Sequence, residues 1–81
     1  MINYSTLPEG LRPGMQLFVE EGRTPGSFLT AVLSNDLLGA VSYADSMNIK
    51  ALPDIVRWVF YQIPSAAWGS RDKCQAWAGG K

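Results

Sequence analysis

The segment Gly22-Arg23-Thr24-Pro25-Gly26-Ser27 carries the residues best suited to bind a ligand. Arg23 offers a planar cation that suits a phosphate group, and the hydroxyls of Thr24 and Ser27 add hydrogen-bond donors. The segment precedes the longest predicted helix, whose first backbone amides favour an anion. A Pro-Gly turn with a serine cap explains the same residues, and the glycine and lysine pattern of a phosphate-binding P-loop is missing. Two interpretations stay open here: an anion-binding loop and an ordinary turn.

Aromatic side chains would supply the other half of a nucleotide site, because bases stack on ring faces. Tyr4 lies in a polar N-terminal segment, 1–6, that we expect to be a mobile arm, where a core role for its ring is hard to assign. Trp68 is a second candidate, although a tryptophan that anchors a turn is equally ordinary. Arg57 and Arg71 are scattered along the chain, and solvation is the ordinary state of such arginines.

Composition excludes several kinds of catalysis. The 81 residues include no histidine and one cysteine, Cys74. A Ser-His-Asp or Cys-His relay, an imidazole metal ligand and a cysteine-rich zinc site are therefore excluded. Asp36, Asp45 and Asp54 are not spaced like a metal-coordinating loop. We expect a protein without enzyme activity, cofactor or metal.

The balance of charge and the length of the apolar stretches exclude further classes of protein. Seven basic and seven acidic residues give zero net charge, so the cationic excess that non-specific DNA binding needs is missing. No apolar stretch approaches the ~20 residues that span a bilayer. The N-terminus also lacks the basic and then apolar order of a secretory signal. The sequence predicts a soluble, cytoplasmic protein that binds neither DNA nor membrane.

Glycine and proline divide the chain into four predicted helices. The first begins near Pro8 or Pro13 and ends at Gly22. Its single apolar stripe comprises Leu11, Met15, Phe18 and Val19. The second is predicted from about residue 26 to residue 46, with Thr24 or Ser27 as its cap.

The second predicted helix is apolar on more than one side. Its apolar side chains spread over roughly 220°, where a one-sided surface helix needs only ~100°. They are Phe28, Leu29, Val32, Leu33, Leu37, Val41 and Tyr43, and Leu38 lies outside even this arc. With 47% hydrophobic and 17% charged residues in a short chain, this arc predicts self-association. Coverage of both flanks by the short terminal helices is the alternative.

The third predicted helix has its body at 54–62, with Pro53 one turn inside or at its start and Ser46 or Asn48 as cap. A β-strand at 55–61 suits the residue types there, but a lone strand has no partner in this chain. A short last helix runs from 71 to about 78, capped by Ser70, before a frayed end at 79–81. The predicted fold is one all-α domain, 1–81, a small helical bundle with two long antiparallel helices and short N- and C-terminal helices.

Several motifs occur in an order that resembles a small family of tailed-phage proteins. They are Leu7-Pro8-Glu9, the run from Pro25-Gly26-Ser27-Phe28-Leu29 to Asn35-Asp36-Leu37, Ala44-Asp45-Ser46-Met47-Asn48, Ile55-Val56-Arg57-Trp58, and the segment from Pro64 to Trp68-Gly69-Ser70. The resemblance covers roughly residues 7–78, and the second of these motifs is its most specific part. This family is identified as including the anti-CBASS sponges, which sequester the cyclic oligonucleotide messengers of bacterial immunity.

The resemblance implies a homo-oligomer of helical hairpins, a hexamer, that captures cyclic di- or trinucleotides in the infected host cell without degrading them. It implies base stacking by Tyr4 and phosphate contacts by Arg23, Thr24 and Ser27. Arg57 and Arg71 are weaker candidates for a second site. Arg23 stands where the family pattern has lysine, and Pro25 removes one amide donor.

Two other functions are compatible with the residues. One is a phage protein that inhibits a host protein through an apolar helix face, with the exposed Leu38 near its centre. The other is a structural or assembly protein. Titration with cyclic nucleotides separates the binding function from both.

Overall fold

Residues 2–80, the part of the chain that the computed structural model describes, fold into five α-helices. These are α1 (Arg12–Glu21), α2 (Ser27–Leu33), α3 (Leu37–Tyr43), α4 (Ser46–Gln62) and α5 (Arg71–Gly80). Short 3₁₀ turns occupy Tyr4–Thr6, Glu9–Leu11 and Ser65–Ala67, and no strand occurs in the described range. The predicted all-α class is confirmed. None of the described helices is long and apolar enough to cross a membrane.

The prediction of a single second helix over 26–46 is wrong, because the chain breaks between α2 and α3. Asn35 adopts the left-handed conformation, with φ of 62°. Its amide donates to the Val32 carbonyl at 3.2 Å, and the Asp36 amide donates to the Ala31 carbonyl at 2.8 Å. This is the Schellman pattern, which ends a helix. Asp36 then starts α3, since its Oδ1 accepts the Gly39 amide at 2.9 Å.

The break changes the predicted architecture. α2 and α3 have seven residues each, and α1 and α5 have 10 each. Only α4, with 17 residues, is long among the described helices. The arrangement of two long antiparallel helices is therefore not confirmed.

Substitutions at Asn35 test the helix break. Asn35→Ala should lower the free energy of unfolding by about 1 kcal/mol, because a residue with a Cβ atom and no local polar group is disfavoured in the left-handed region. Asn35→Gly should leave the stability unchanged or raise it slightly, since glycine adopts this conformation without steric cost. Urea unfolding followed by circular dichroism measures both variants. Equal losses for alanine and glycine would contradict the role assigned to Asn35.

Caps fix the bounds of three other helices. Gly22 ends α1 as predicted, in the left-handed conformation with φ of 68°. Ser70 caps α5 as predicted, because its Oγ accepts a first-turn amide at 3.1 Å. α4 differs from its prediction: Asp45 is the cap, and its Oδ1 accepts the Asn48 amide at 2.7 Å. The prediction of Ser46 or Asn48 as the cap of this helix is therefore wrong. The Asp45 carboxylate is a favourable cap because it accepts a free amide and also interacts with the positive end of the helix dipole.

Pro53 lies inside α4 and not at its start. Proline has no N–H to donate to the carbonyl of Ile49, four residues earlier. The helix continues through this position because Leu52 and Ile55, on either side, are buried in the core. The 55–61 segment is helical, and its β-branched residues Ile55 and Val59 are buried in the core, whereas Val56 is exposed.

The core joins both ends of the chain. Its most deeply buried large side chains are Leu7, Met15, Phe18, Leu33 and Ile55. The predicted stripe of the first helix is confirmed, with Leu11 partly buried and the other three members buried. The indole N–H of Trp77 donates to the Phe18 carbonyl at 3.1 Å, which holds α5 against α1. Gly79 and Gly80 of the predicted frayed end complete α5, and Lys81 lies outside the described residues.

Candidate functional site

A cleft of ≈ 310 Å³ beside α2 is lined mainly by hydroxyl groups. We name it the hydroxyl cleft, after the side chains of Thr24, Ser27, Thr30, Ser34 and Tyr43. Asp36 and Arg71 are its charged lining residues, and Pro25 and Ala31 complete it. The cleft thus brings together three of the six predicted ligand-binding residues: Thr24, Ser27 and Arg71.

Helical spacing and one loop contact assemble this cleft. Ser27, Thr30 and Ser34 follow one another at i, i+3 and i+7 along α2 and its C-cap, so their side chains share one face. The Gly69 amide donates at 2.8 Å to the carbonyl of the last residue of α2. That contact holds the start of α5, and with it Arg71, beside the hydroxyl face.

The predicted capping role of Thr24 and Ser27 is wrong. Gly26 is the N-cap of α2, and no side chain accepts a hydrogen bond there. Both hydroxyls are exposed and have no hydrogen-bond partner within residues 2–80, whereas the Thr30 hydroxyl donates to the Pro25 carbonyl at 3.0 Å. The interpretation of 22–27 as an ordinary turn required a serine cap, and the structure has no such cap.

The segment before α2 also does not precede the longest helix. α2 has seven residues, so the predicted attraction of an anion to the start of a long helix is wrong. The capacity of the hydroxyl cleft to bind an anion depends instead on its side chains.

Arg71 is the group best placed to bind an anion in the hydroxyl cleft. Its side chain is exposed, and it has no ion-pair partner among the described residues. The carboxylate of Asp36 lies in the same lining, where its Oδ1 accepts the Gly39 amide. The cleft therefore has a cationic side at the start of α5 and an acidic side at the start of α3.

Arg23, the predicted phosphate contact of the loop, does not line the hydroxyl cleft. Its Nε lies 3.7 Å from Oε1 of Glu21, and the two side chains are 70% and 58% exposed. An ion pair this exposed contributes little to stability. Arg23 can therefore leave Glu21 for another anion at small cost.

The N-terminal segment packs on α4 through Trp58. The indole N–H of Trp58 donates to the Asn3 carbonyl at 2.7 Å, and the rings of Tyr4 and Trp58 lie 5.5 Å apart between centroids. Arg12 donates to the Ser5 carbonyl and to the carbonyl of Leu7, the residue that follows the segment, each at 2.9 Å. These contacts hold much of the segment that the sequence predicts as a mobile arm, 1–6, against the helices.

Tyr4 and Arg57 lie away from the hydroxyl cleft. The Tyr4 hydroxyl donates to Oε2 of Glu20 at 3.2 Å. Arg57 lines a separate cleft of ≈ 340 Å³, together with Thr6, Asp54, Trp58, Tyr61 and Gln62. Within one chain, the predicted stacking residue and the predicted phosphate contacts do not meet.

The contacts of Tyr4 predict a loss of stability at high pH. Burial, together with the hydrogen bond to Glu20 and the charge of Glu20, raises the pKa of Tyr4 from 10.0 to about 12. Because the folded state favours the neutral phenol, this contribution is complete below pH 10.0 and is lost as the pH rises through about 12. The difference in unfolding free energy between the wild type and Tyr4→Phe should shrink over that range.

Urea unfolding at several alkaline pH values measures this difference. Tyr61→Phe serves as the control, because Tyr61 is exposed and has no hydrogen bond to a carboxylate in the described chain. A difference between wild type and Tyr4→Phe that stays constant with pH would contradict the assigned contact with Glu20.

Sequence reasoning did not assign Thr30, Ser34 or Asp36 to a ligand site, and it left the role of Tyr43 open between core packing and ligand binding. The helical spacing of Ser27, Thr30 and Ser34 is visible in the sequence as a polar stripe. The positions of Asp36 and Tyr43 depend on the helix break at Asn35, which the apolar periodicity did not reveal.

Other reactive groups lie outside the hydroxyl cleft. Cys74 is buried, and burial raises the pKa of its thiol, although a hydrogen bond with Ser34 opposes the shift. The thiol is therefore protonated at neutral pH. Among residues 2–80, no three His, Cys, Asp or Glu side chains cluster as metal ligands. Comparisons with family models, curated proteins and solved structures gave no significant match.

Proposed function

We propose that this protein binds and sequesters a cyclic di- or trinucleotide without breaking any of its bonds. The observation that carries the proposal is the hydroxyl cleft, where Arg71 and the unpartnered hydroxyls of Thr24 and Ser27 line one space. A guanidinium beside hydroxyl donors suits phosphate oxygens, which accept charge-assisted hydrogen bonds. Capture of this kind needs no general base, nucleophile or metal.

The position of Arg71 supports a role in binding. Arg71 is the first residue of α5, where the partial positive charge of the helix end disfavours a cation by about 0.3–1 kcal/mol. Asp72, the next residue, has the charge that this end favours. A side chain placed against a local preference is expected at functional sites.

Tyr43 supports the binding of a base in the same cleft. It is the last residue of α3, and its side chain is 61% exposed. An exposed ring in the lining of a phosphate-binding cleft provides a stacking face, and stacking on aromatic rings is tolerant of base identity. Within a single chain, Tyr43 is therefore better placed than Tyr4 to stack on a ligand in this cleft.

The size of the cleft supports a site shared between copies. Its ≈ 310 Å³ lies at the lower end of the ~300–1,000 Å³ of small-molecule sites, and a cyclic dinucleotide carries two bases and two phosphates. We therefore propose a homo-oligomer, such as the hexamer that the resemblance implies. A neighbouring copy would add its Tyr4 and Arg23 to the ligand.

The resemblance to the phage sponges gives this binding a biological purpose. In an infected bacterial cell, a protein that captures the messenger lowers its free concentration by mass action. The host effector is then not activated, although the messenger stays intact. Tight and reversible binding is sufficient for this function.

Isothermal titration with cyclic di-AMP and cyclic tri-AMP tests the proposal, with linear pApA as the control ligand. We expect saturable binding of a cyclic ligand, weaker binding of the linear one, and recovery of the intact ligand by chromatography after the protein is denatured. Absence of heat at high micromolar concentrations of both cyclic ligands would contradict the proposal, and so would recovery of a hydrolysed product.

A further inference from the structure

The hydroxyl cleft holds two opposite charges that do not pair with each other. Arg71 and Asp36 both line it, and both side chains are exposed. No ion pair joins them, and neither forms an ion pair with any other side chain of residues 2–80. The cleft therefore offers one ligand a cation for its anionic part and a separate carboxylate for another part.

The carboxylate of Asp36 is oriented by the backbone and still has acceptor sites free. Its Oδ1 accepts the Gly39 amide at 2.9 Å, whereas its Oδ2 has no hydrogen-bond partner within the described residues. An ionised carboxylate has about four lone-pair sites on its two oxygens. The hydrogen bond to Gly39 thus holds the group in place and leaves both oxygens able to accept from a ligand.

The helix cap by itself does not explain the charge at this position. Asn and Ser cap a helix about as well as Asp does. A carboxylate in the lining of an anion-binding cleft also repels the phosphate that Arg71 attracts. The charge of Asp36 therefore lowers the affinity for a nucleotide unless another part of the same ligand donates hydrogen bonds to it.

Tyr43 can bring a base to this carboxylate. Asp36 is the N-cap of α3 and Tyr43 is its last residue, so the two lie two turns apart on one face, about 10 Å along the helix axis. Helical side chains lean toward the N-terminus of their helix, which shortens this separation. A base that stacks on the exposed ring of Tyr43 can present its edge to Asp36, while its phosphate contacts Arg71.

We infer that Asp36 recognises guanine, so that the hydroxyl cleft prefers a cyclic dinucleotide of guanine to one of adenine. The inference rests on the proposed function and names the base that the site selects. Guanine carries two adjacent donors, N1–H and the 2-amino group, which match the two oxygens of a carboxylate in charge-assisted hydrogen bonds.

The other bases fit this carboxylate less well. Adenine and cytosine each present an amino donor beside a ring nitrogen whose lone pair the carboxylate repels. Uracil presents one N–H between two carbonyl oxygens. Guanine alone among the four combines two neighbouring donors on one edge, so Asp36 discriminates by attraction to guanine and by repulsion of the others.

Isothermal titration of the wild type with three cyclic dinucleotides tests the preference. We expect cyclic di-GMP to bind about 10-fold more tightly than cyclic di-AMP, because a paired hydrogen bond to a base edge gives discrimination of this order. Cyclic di-IMP, which lacks the 2-amino group and keeps N1–H, should have an intermediate affinity.

Two variants separate the position of the carboxylate from its charge. Asp36→Asn should weaken cyclic di-GMP roughly fivefold and strengthen cyclic di-AMP roughly threefold, because the charge is lost. Gly39→Ala keeps the charge, but a Cβ atom at Gly39 would overlap the Asp36 carboxylate and displace it. This variant should lose the preference for guanine without a gain for cyclic di-AMP.

Asp45→Asn is the matched control. Asp45 caps α4 as Asp36 caps α3, with its Oδ1 on the Asn48 amide at 2.7 Å, and it is not part of the cleft lining. Its removal should leave the ratio of the two affinities at the wild-type value. Circular dichroism checks that each variant is folded, and Asp36→Asn decides the test if Gly39→Ala is not.

The outcomes distinguish the preference from the binding function. Equal affinities of the wild type for the three ligands would overturn the inference and leave the proposed function intact. The same holds for an Asp36→Asn variant with the wild-type ratio, or for an Asp45→Asn variant that loses the preference. Absence of binding of every cyclic ligand would overturn both.

Discussion

Arg71→Ala should weaken the binding of a cyclic dinucleotide by about 10- to 100-fold, because hydrogen bonds to charged groups contribute roughly 1.5–3 kcal/mol. Arg71 is the cation of the hydroxyl cleft, and it has no ion-pair partner in residues 2–80. Arg71→Lys should give a smaller loss, since lysine keeps the charge but lacks the planar pair of donors. Isothermal titration at one fixed salt concentration measures all three affinities.

Removal of the negative charge from the hydroxyl cleft should strengthen the binding of the adenine ligand, cyclic di-AMP. Asp36→Asn removes a carboxylate from the lining and keeps a good helix cap, so it should strengthen anion binding by roughly threefold. Lys50→Ala removes a charge from α4 outside the cleft and should leave the affinity unchanged.

Stability measurements test whether a loss of affinity in Arg71→Ala results from unfolding of the variant. Because a cation at the first residue of α5 is disfavoured, Arg71→Ala should unfold at the same urea concentration as the wild type or slightly above it. An Arg71→Ala affinity within twofold of the wild-type value would show that the hydroxyl cleft is not the ligand site.

Phe18→Ala should have the largest effect on stability, a loss of about 3–5 kcal/mol in the free energy of unfolding. The Phe18 side chain is completely buried, at 0% exposure, so its removal leaves a cavity in the core. Domains are stable by only about 5–15 kcal/mol, and a chain of 81 residues is a small domain. This loss should therefore leave a large fraction of the molecules unfolded at about physiological temperature. Urea unfolding at a fixed protein concentration measures the loss, because association makes stability depend on concentration.

Leu17→Ala is the matched control for Phe18→Ala. Leu17 is the preceding residue of α1, and it is 39% exposed, so alanine there should cost less than about 1 kcal/mol. Similar losses for the two variants would mean that α1 presents a different face to the core.

Local signals in the sequence predict the bounds of α1 and α5 well. Gly22 ends a helix because glycine adopts the left-handed conformation without cost, and Ser70 starts one because its hydroxyl accepts a free amide. Both signals act within one turn of helix, so no knowledge of the fold is needed to interpret them.

The break at Asn35 shows where periodicity fails. Apolar residues continue at intervals of three and four from Phe28 through Leu33 to Leu37 and Val41, so the apolar pattern does not change at the break. Asn35 and Asp36 are residue types that end and start helices, and they are the signal that identifies it.

The ligand-binding predictions also divide into those that depend on neighbours in the sequence and those that depend on distant contacts. Thr24 and Ser27 are near each other in the sequence, and the structure keeps them in one cleft. Arg71 joins them through tertiary contacts, among them the hydrogen bond between Gly69 and the end of α2. Tyr4 packs instead on Trp58, a residue far along the chain that no local pattern connects to it.

The sequence alone determined the all-α class, the absence of imidazole chemistry, the zero net charge and the caps at Gly22 and Ser70, because composition and one-turn interactions suffice for these. Tertiary structure alone decided where the apolar residues of the second predicted helix lie. Phe28, Leu29 and Leu33 of α2 are buried, whereas Leu37, Leu38 and Val41 of α3 are exposed. The physical reason is that burial depends on which neighbour packs against a face, and after the turn at Asn35 the buried residue of α3 is Ala40.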